Sequence, residues 1–94
     1  MMWWHGQNLE KPLKDAQGRL WHFRVWHDDV AGIYTQRIFF WDEARVDTGY
    51  AEFAGDQRLH VSKIKQRIRK ILTDSSYRES FRRELVFPIE RHYS

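Results

Sequence analysis

The chain has 94 residues, five tryptophans, no cysteine and a formal charge of +3, enough for one domain and too little for two. Without thiols, disulfide staples and thiolate chemistry are excluded, and stability must come from a modest apolar core. No run approaches the ~18 apolar residues of a membrane span, and the chain turns polar after Trp4, unlike a signal peptide. The expectation is therefore one cytoplasmic domain over 1–94 with no membrane contact, residues 1–8 and 88–94 being peripheral.

Two hydrophobic periods follow one another. From about 11 to 61 the period is near two. Lys11–Lys14 is a short partner strand that Pro12 pushes to a sheet edge, and Asp15-Ala-Gln-Gly18 supplies turn chemistry. Arg19–His27 alternates, with Trp21, Phe23 and Val25 on one side and His22, Arg24 and Trp26 on the other. Asp28–Gly32 reads as a hairpin loop. Ile33–Trp41 is dense in β-branched and aromatic residues, Asp42–Asp47 is an acidic connection, and Thr48–Ala54 is a further alternating strand. Gly55-Asp-Gln turns into a short strand over Arg58–Val61.

From 62 to about 87 the period is helical. Ser62 stands where an N-cap belongs, and Ile64, Ile68, Ile71 and Leu72 form one apolar face. After Thr73-Asp-Ser, Ser76-Tyr-Arg-Glu79 has the capping-box pattern. Tyr77, Phe81 and Leu85 then give a second helix its apolar side, and Pro88 ends it. The fold class is α+β: an antiparallel β-meander of three to five strands followed by two C-terminal helices packed on one face of the sheet.

Charge is unevenly spread. Ser62–Arg83 holds eight lysines and arginines against Asp74 and Glu79, while the rest of the chain holds eight basic and eleven acidic residues. Lys63–Arg67 and Lys65–Arg69 are like-charge i, i+4 pairs, and Lys63 and Lys65 lie in the first turn, where the helix dipole disfavours cations. These penalties are accepted by a solvated helix face, or offset either by acidic loops folding against it or by an anionic partner. The candidate contact set for nucleic acid or another polyanion is Lys63, Lys65, Arg67, Arg69, Lys70, Arg78 and Arg82.

Pleat parity assigns Trp21, Phe23, Val25, Ile38, Phe40, Ala51, Phe53, Leu59 and Val61 to the helix-covered core. The opposite face carries Trp26, Arg37, Phe39, Trp41 and Tyr50, a mixed aromatic and cationic surface suited to a homodimer, a stacked base or a flat ligand. The homodimer is favoured because one helical layer leaves Phe39 and Trp41 to water. No two of His5, His22, His27, His60 and His92 have metal-ligand spacing, so no metal or cofactor is expected. His27-Asp28-Asp29 at the hairpin mouth is the best acid/base cluster, although turn geometry alone explains aspartates there. The leading expectation is a small non-enzymatic binding module with a basic helix turned to a polyanion. The alternative is an oligomeric small-molecule or protein-interaction domain using the aromatic face, with the basic helix merely solvated.

Overall fold

The computed structural model describes residues 4–8, 11–55 and 61–87. Alternation in the middle of the chain sets its framework. Two long strands, β3 (Leu20–Val30) and β4 (Ile33–Asp42), form an antiparallel hairpin in continuous register from Trp21 opposite Asp42 to Val30 opposite Ile33. The connection shrinks to Ala31 and Gly32, both left-handed at φ 54° and 79°. That is the backbone sense matching the twist of paired strands. The loop expected over Asp28–Gly32 is thus mostly strand, because the ladder runs to the last residue before the turn.

The other strands flank this hairpin. β5 (Thr48–Gly55) pairs with β4, while β1 (Trp4–Asn8) and β2 (Leu13–Lys14) pair one after the other with β3, all antiparallel. Residues 4–8, expected at the periphery, thus supply a sheet strand. The short strand expected at Arg58–Val61 lies outside the described residues except for Val61, which opens a helix.

Helix α1 (Val61–Thr73) lays Ile64, Ile68 and Ile71 on Trp21, Phe23, Val25, Ile38, Phe40 and Ala51. Helix α2 (Ser75–Ser80) follows, with Tyr77, Phe81, Leu72 and Phe53 packed at the margin of this core. The α+β architecture with both helices on one sheet face is therefore present. Among the described residues no helix is long and apolar enough to cross a membrane.

Both expected caps move. Because α1 begins at Val61, Ser62 lies inside the first turn and does not cap it. The N-cap of α2 is Asp74, in extended conformation, whose carboxylate accepts from the Tyr77 N–H at 3.0 Å. A charged acceptor placed before Ser76 satisfies that donor and favours the positive end of the helix, so the capping box is not used. After Ser80 the chain leaves the helix and runs beside β5: Tyr50 N–H donates to Phe81 O at 2.9 Å and Arg83 N–H to Thr48 O at 3.0 Å. This redirection ends α2 well before Pro88.

Gly49 is a point of close approach. It sits opposite Phe40, and a Cβ there would lie 2.1 Å from Phe40 Cζ. The Phe40 ring fills the space that a side chain would take. Gly49→Ala is expected to destabilise the fold by about 1–3 kcal/mol, read from the urea midpoint. The penalty should shrink in a Phe40→Leu background; equal penalties in both backgrounds would show that the ring is not what excludes the methyl group.

Candidate functional site

The apolar face of α1 is committed to the core, so its remaining surface is free to carry charge. No acid lies within α1. Lys63, Lys65, Gln66, Arg69 and Lys70 are exposed. Among the described residues Lys63, Lys65 and Arg69 make no ion pair, and Lys70 lies with its Nζ 4.6 Å from the centre of the Tyr77 ring.

Several acids lie elsewhere, held by other arginines. Asp28 takes Arg37 at 2.7 Å; Asp42 and Asp47 take Arg19 at 2.5 and 2.7 Å; Asp47 also takes Arg82 at 3.2 Å. Glu52 adds a 3.2 Å contact to Arg37. Among the described residues the acidic loops therefore neutralise the sheet and the segment after α2, and leave the outer surface of α1 positive.

Three of the seven expected contact residues have other work. Arg67 lies over the Phe53 ring, its Cζ 3.6 Å from the centroid, and donates to Gln36 Oε1 at 2.6 Å. Arg78 donates to the Ile71 carbonyl at 2.9 Å, stands 3.8 Å from Asp15, and covers one side of Trp21 at 4.9 Å. Arg82 is exposed but shared between Asp47 and Glu79, at 3.2 and 3.8 Å. Helical periodicity puts Arg67 in the expected contact set, but a long side chain at the edge of the apolar face can fold back over an aromatic neighbour. The surface left for a partner is Lys63, Lys65, Arg69 and Lys70.

Arg67 completes a buried polar seam between α1 and the β3–β4 hairpin. His27 and Gln36 face one another across the hairpin, 1% and 0% exposed. Because Arg67 must donate, Gln36 presents its oxygen there and its amide nitrogen to His27 Nε2, 3.2 Å away. Nε2 is then the acceptor, and the neutral ring carries its proton on Nδ1. Burial pushes the His27 pKa down to about 4; the positive charge of Arg67 adds to this, and Asp28 opposes it weakly. Of the expected cluster His27-Asp28-Asp29, His27 and Asp28 lie on opposite sides of the sheet. Successive strand residues point to opposite faces, and Asp28 is ion-paired with Arg37 on the other side.

A second anchor was not marked by the sequence patterns. The Asp15 carboxylate is buried and accepts from the N–H groups of Gln17 and Arg19, each at 2.9 Å, and from Trp21 Nε1 at 3.0 Å. Burial alone would raise its pKa, but these donors, with Arg78, outweigh it and hold the carboxylate below its ordinary range. Trp21 is thereby fixed between Arg19 and Arg78, whose Cζ atoms lie 4.8 and 4.9 Å from its ring centre.

The outer sheet face is differently built than expected. Phe39 is only 2% exposed and lies against Tyr50 with centroids 4.8 Å apart. Arg37 is held by Asp28 and Glu52, and the Tyr50 hydroxyl donates to Glu52. His22 stacks on Trp41 at 5.8 Å, and Phe87 meets Trp41 edge-on at 5.4 Å. Trp26 and Trp41 remain half-buried, with Arg24 over Trp26. The premise that one helical layer leaves Phe39 to water does not hold: Phe39 is buried, with the Tyr50 ring of the neighbouring strand against it. Among the described residues no three His, Asp or Glu side chains gather in a group able to hold a metal ion.

Comparison of the chain with protein-family models, curated proteins and solved structures finds no match.

The His27 seam sets a pH dependence of stability. An unfolded His27 titrates near 6.5, the folded one near 4, so between these values the unfolded state binds the extra proton. Stability due to this group is complete above pH 6.5 and is lost as pH falls toward 4, by roughly 3 kcal/mol in all. Urea titrations at pH 7, 6, 5 and 4 should show a steeper decline for the wild type than for His27→Leu. Parallel declines would mean that His27 is not the buried neutral group.

Proposed function

We propose that this protein is a non-enzymatic binding module that holds a polyanion, most simply the phosphate backbone of a nucleic acid, against the solvent face of α1. The observation that carries this reading is the charge of Lys63, Lys65 and Arg69 on a helix without acids, which no ion pair neutralises among the described residues, while Asp28, Asp42 and Asp47 pair with arginines elsewhere. Lys70 stands on the same exposed surface, beside Tyr77. Cations held in this way follow phosphates and gain free energy from the counterions they displace. They position a strand without reading its bases.

The helix can carry such a surface because three buried isoleucines, and not its charge pattern, hold it in place. Arg67, Arg78 and Arg82 contribute field more than contact. The alternative, a small-molecule or protein contact including a homodimer at Trp26, Arg37, Phe39, Trp41 and Tyr50, takes second place. It is supported by the half-exposed Trp26 and Trp41, and weakened by the burial of Phe39 and the pairing of Arg37 within the chain.

Fluorescence anisotropy with labelled single-stranded RNA and duplex DNA tests the leading reading across about 50–200 mM salt. Three or four phosphate contacts predict that log affinity on duplex DNA falls with log salt at a slope of about −3. The triple change Lys63→Glu, Lys65→Glu, Arg69→Glu should abolish binding without unfolding the domain, since all three side chains are exposed. Absence of binding at the lowest salt, or a triple variant that binds as well as the wild type, rejects the proposal.

A further inference from the structure

Three arginines meet in a groove of about 550 Å³ between the β4–β5 loop and the segment after α2, away from the α1 surface. Arg45, Val46 and Thr48 line one side, and Arg82, Arg83, Glu84, Leu85 and Phe87 the other.

Both walls are fixed from within the chain. Asp42, buried and bound to Arg19, accepts the N–H groups of Val46 and Asp47 at 2.8 and 3.2 Å, and the Arg45 N–H reaches its carbonyl at 2.9 Å. This holds Arg45 at φ 56°, a conformation uncommon for a residue with a Cβ and one that concentrates at functional positions. The opposite wall is pinned to β5 by Phe81 and Arg83, and Thr48 Oγ1 donates to the Arg83 carbonyl.

The guanidinium groups are ordered but keep donors to spare. Arg45 lies over the Phe87 ring with its Cζ 4.3 Å from the centroid, and its side chain makes no hydrogen bond or ion pair among the described residues. Arg83 spends one Nη1 donor on the Arg82 carbonyl at 2.8 Å. Arg82 is shared with Asp47 and Glu79. Each guanidinium has five N–H donors, so most remain available. Against three positive charges the described lining residues include one carboxylate, Glu84. Val46, 73% exposed, and Leu85 and Phe87 add an apolar flank.

We propose that this groove binds an organic phosphate. Its phosphoryl oxygens would be taken by the guanidinium forks of Arg45, Arg82 and Arg83, and its organic body would lie against Val46, Leu85 and Phe87. Planar guanidinium forks match phosphate oxygens in pairs, and the volume falls within the range of small-molecule sites. Such a phosphate comes either from a free phosphorylated small molecule or from a polynucleotide laid across the same groove.

Titration of the full chain with phenyl phosphate, followed by amide chemical shifts, tests the site. Saturable binding is expected, with shifts at Val46, Leu85 and Phe87, and tighter than for inorganic phosphate. Arg83→Gln and Arg45→Gln should each weaken it by about tenfold or more, the loss expected when a charge-assisted donor set is removed. Val46→Glu, at an exposed position, should do the same by repulsion and guards against misreading an unfolded arginine variant. Competition by an oligonucleotide assigns the phosphate to a polynucleotide; its failure to compete assigns a small molecule. The proposal is overturned by absence of saturable binding, by binding indifferent to all three substitutions, or by phenyl phosphate binding no tighter than inorganic phosphate. The α1 triple variant leaves this groove intact, so the groove and the helix surface stand or fall separately.

Discussion

The contact of Ile64, Ile68 and Ile71 with the inner face of the β3–β4 hairpin is the constraint on which the other features rest. A helix of 13 residues is marginal alone in water, and α1 carries cations in its first turn and like charges one turn apart. Each such pair costs about 0.2–0.5 kcal/mol, whereas full burial of a single isoleucine contributes about 1.5–3 kcal/mol. Burial wins by a wide margin. The outer surface of α1 is thereby released from stabilising the helix.

Polar contacts then fix where the helix lies on the sheet. The Arg67–Gln36–His27 seam ties the middle of α1 to the hairpin. In its last turn, Leu72 O accepts from Ala16 N–H at 3.2 Å, and Arg78 reaches both Ile71 O and Asp15. Buried polar groups of this kind add little net stability, because desolvation offsets most of their attraction. They do oppose sliding of the helix: a shift by one residue would take Arg67 away from the buried Gln36 oxygen, at about 1–3 kcal/mol for an unsatisfied group.

Much of this fold was legible in the sequence because the strands alternate cleanly. Trp21, Phe23, Val25, Ile38, Phe40 and Ala51 lie in the core as parity assigned them, and the isoleucine stripe marked α1. What escaped was polar. His27 and Gln36 continue the core parity of their strands, but a polar residue on a core position is read as the end of the pattern unless a buried partner can be named. That partner, Arg67, lies 31 residues from Gln36. Asp15 reads as turn chemistry, which it is; that it also receives the Trp21 indole depends on the turn into β3, and that it faces Arg78 depends on the path of the chain after α1. Of the candidate site, the exposure of Lys63, Lys65, Arg69 and Lys70 was legible from helical periodicity. The diversion of Arg67, Arg78 and Arg82 was not, because each depends on an aromatic or acidic neighbour far away in sequence.

The buried Asp15 joins the tight turn before β3 to α2 through Trp21 and Arg78. That pairing has a consequence for the order in which the domain is made. As the β3–β4 hairpin leaves the ribosome, Trp21, Phe23, Val25 and Phe40 lack the isoleucines of α1 that pack on them in the folded domain. The helices that cover that surface follow all five strands in the chain, so closure awaits residues 61–80, and long-range contacts of this kind fold more slowly than local ones. During that interval the nascent hairpin presents an apolar sheet face flanked by arginines, a surface on which chaperones act.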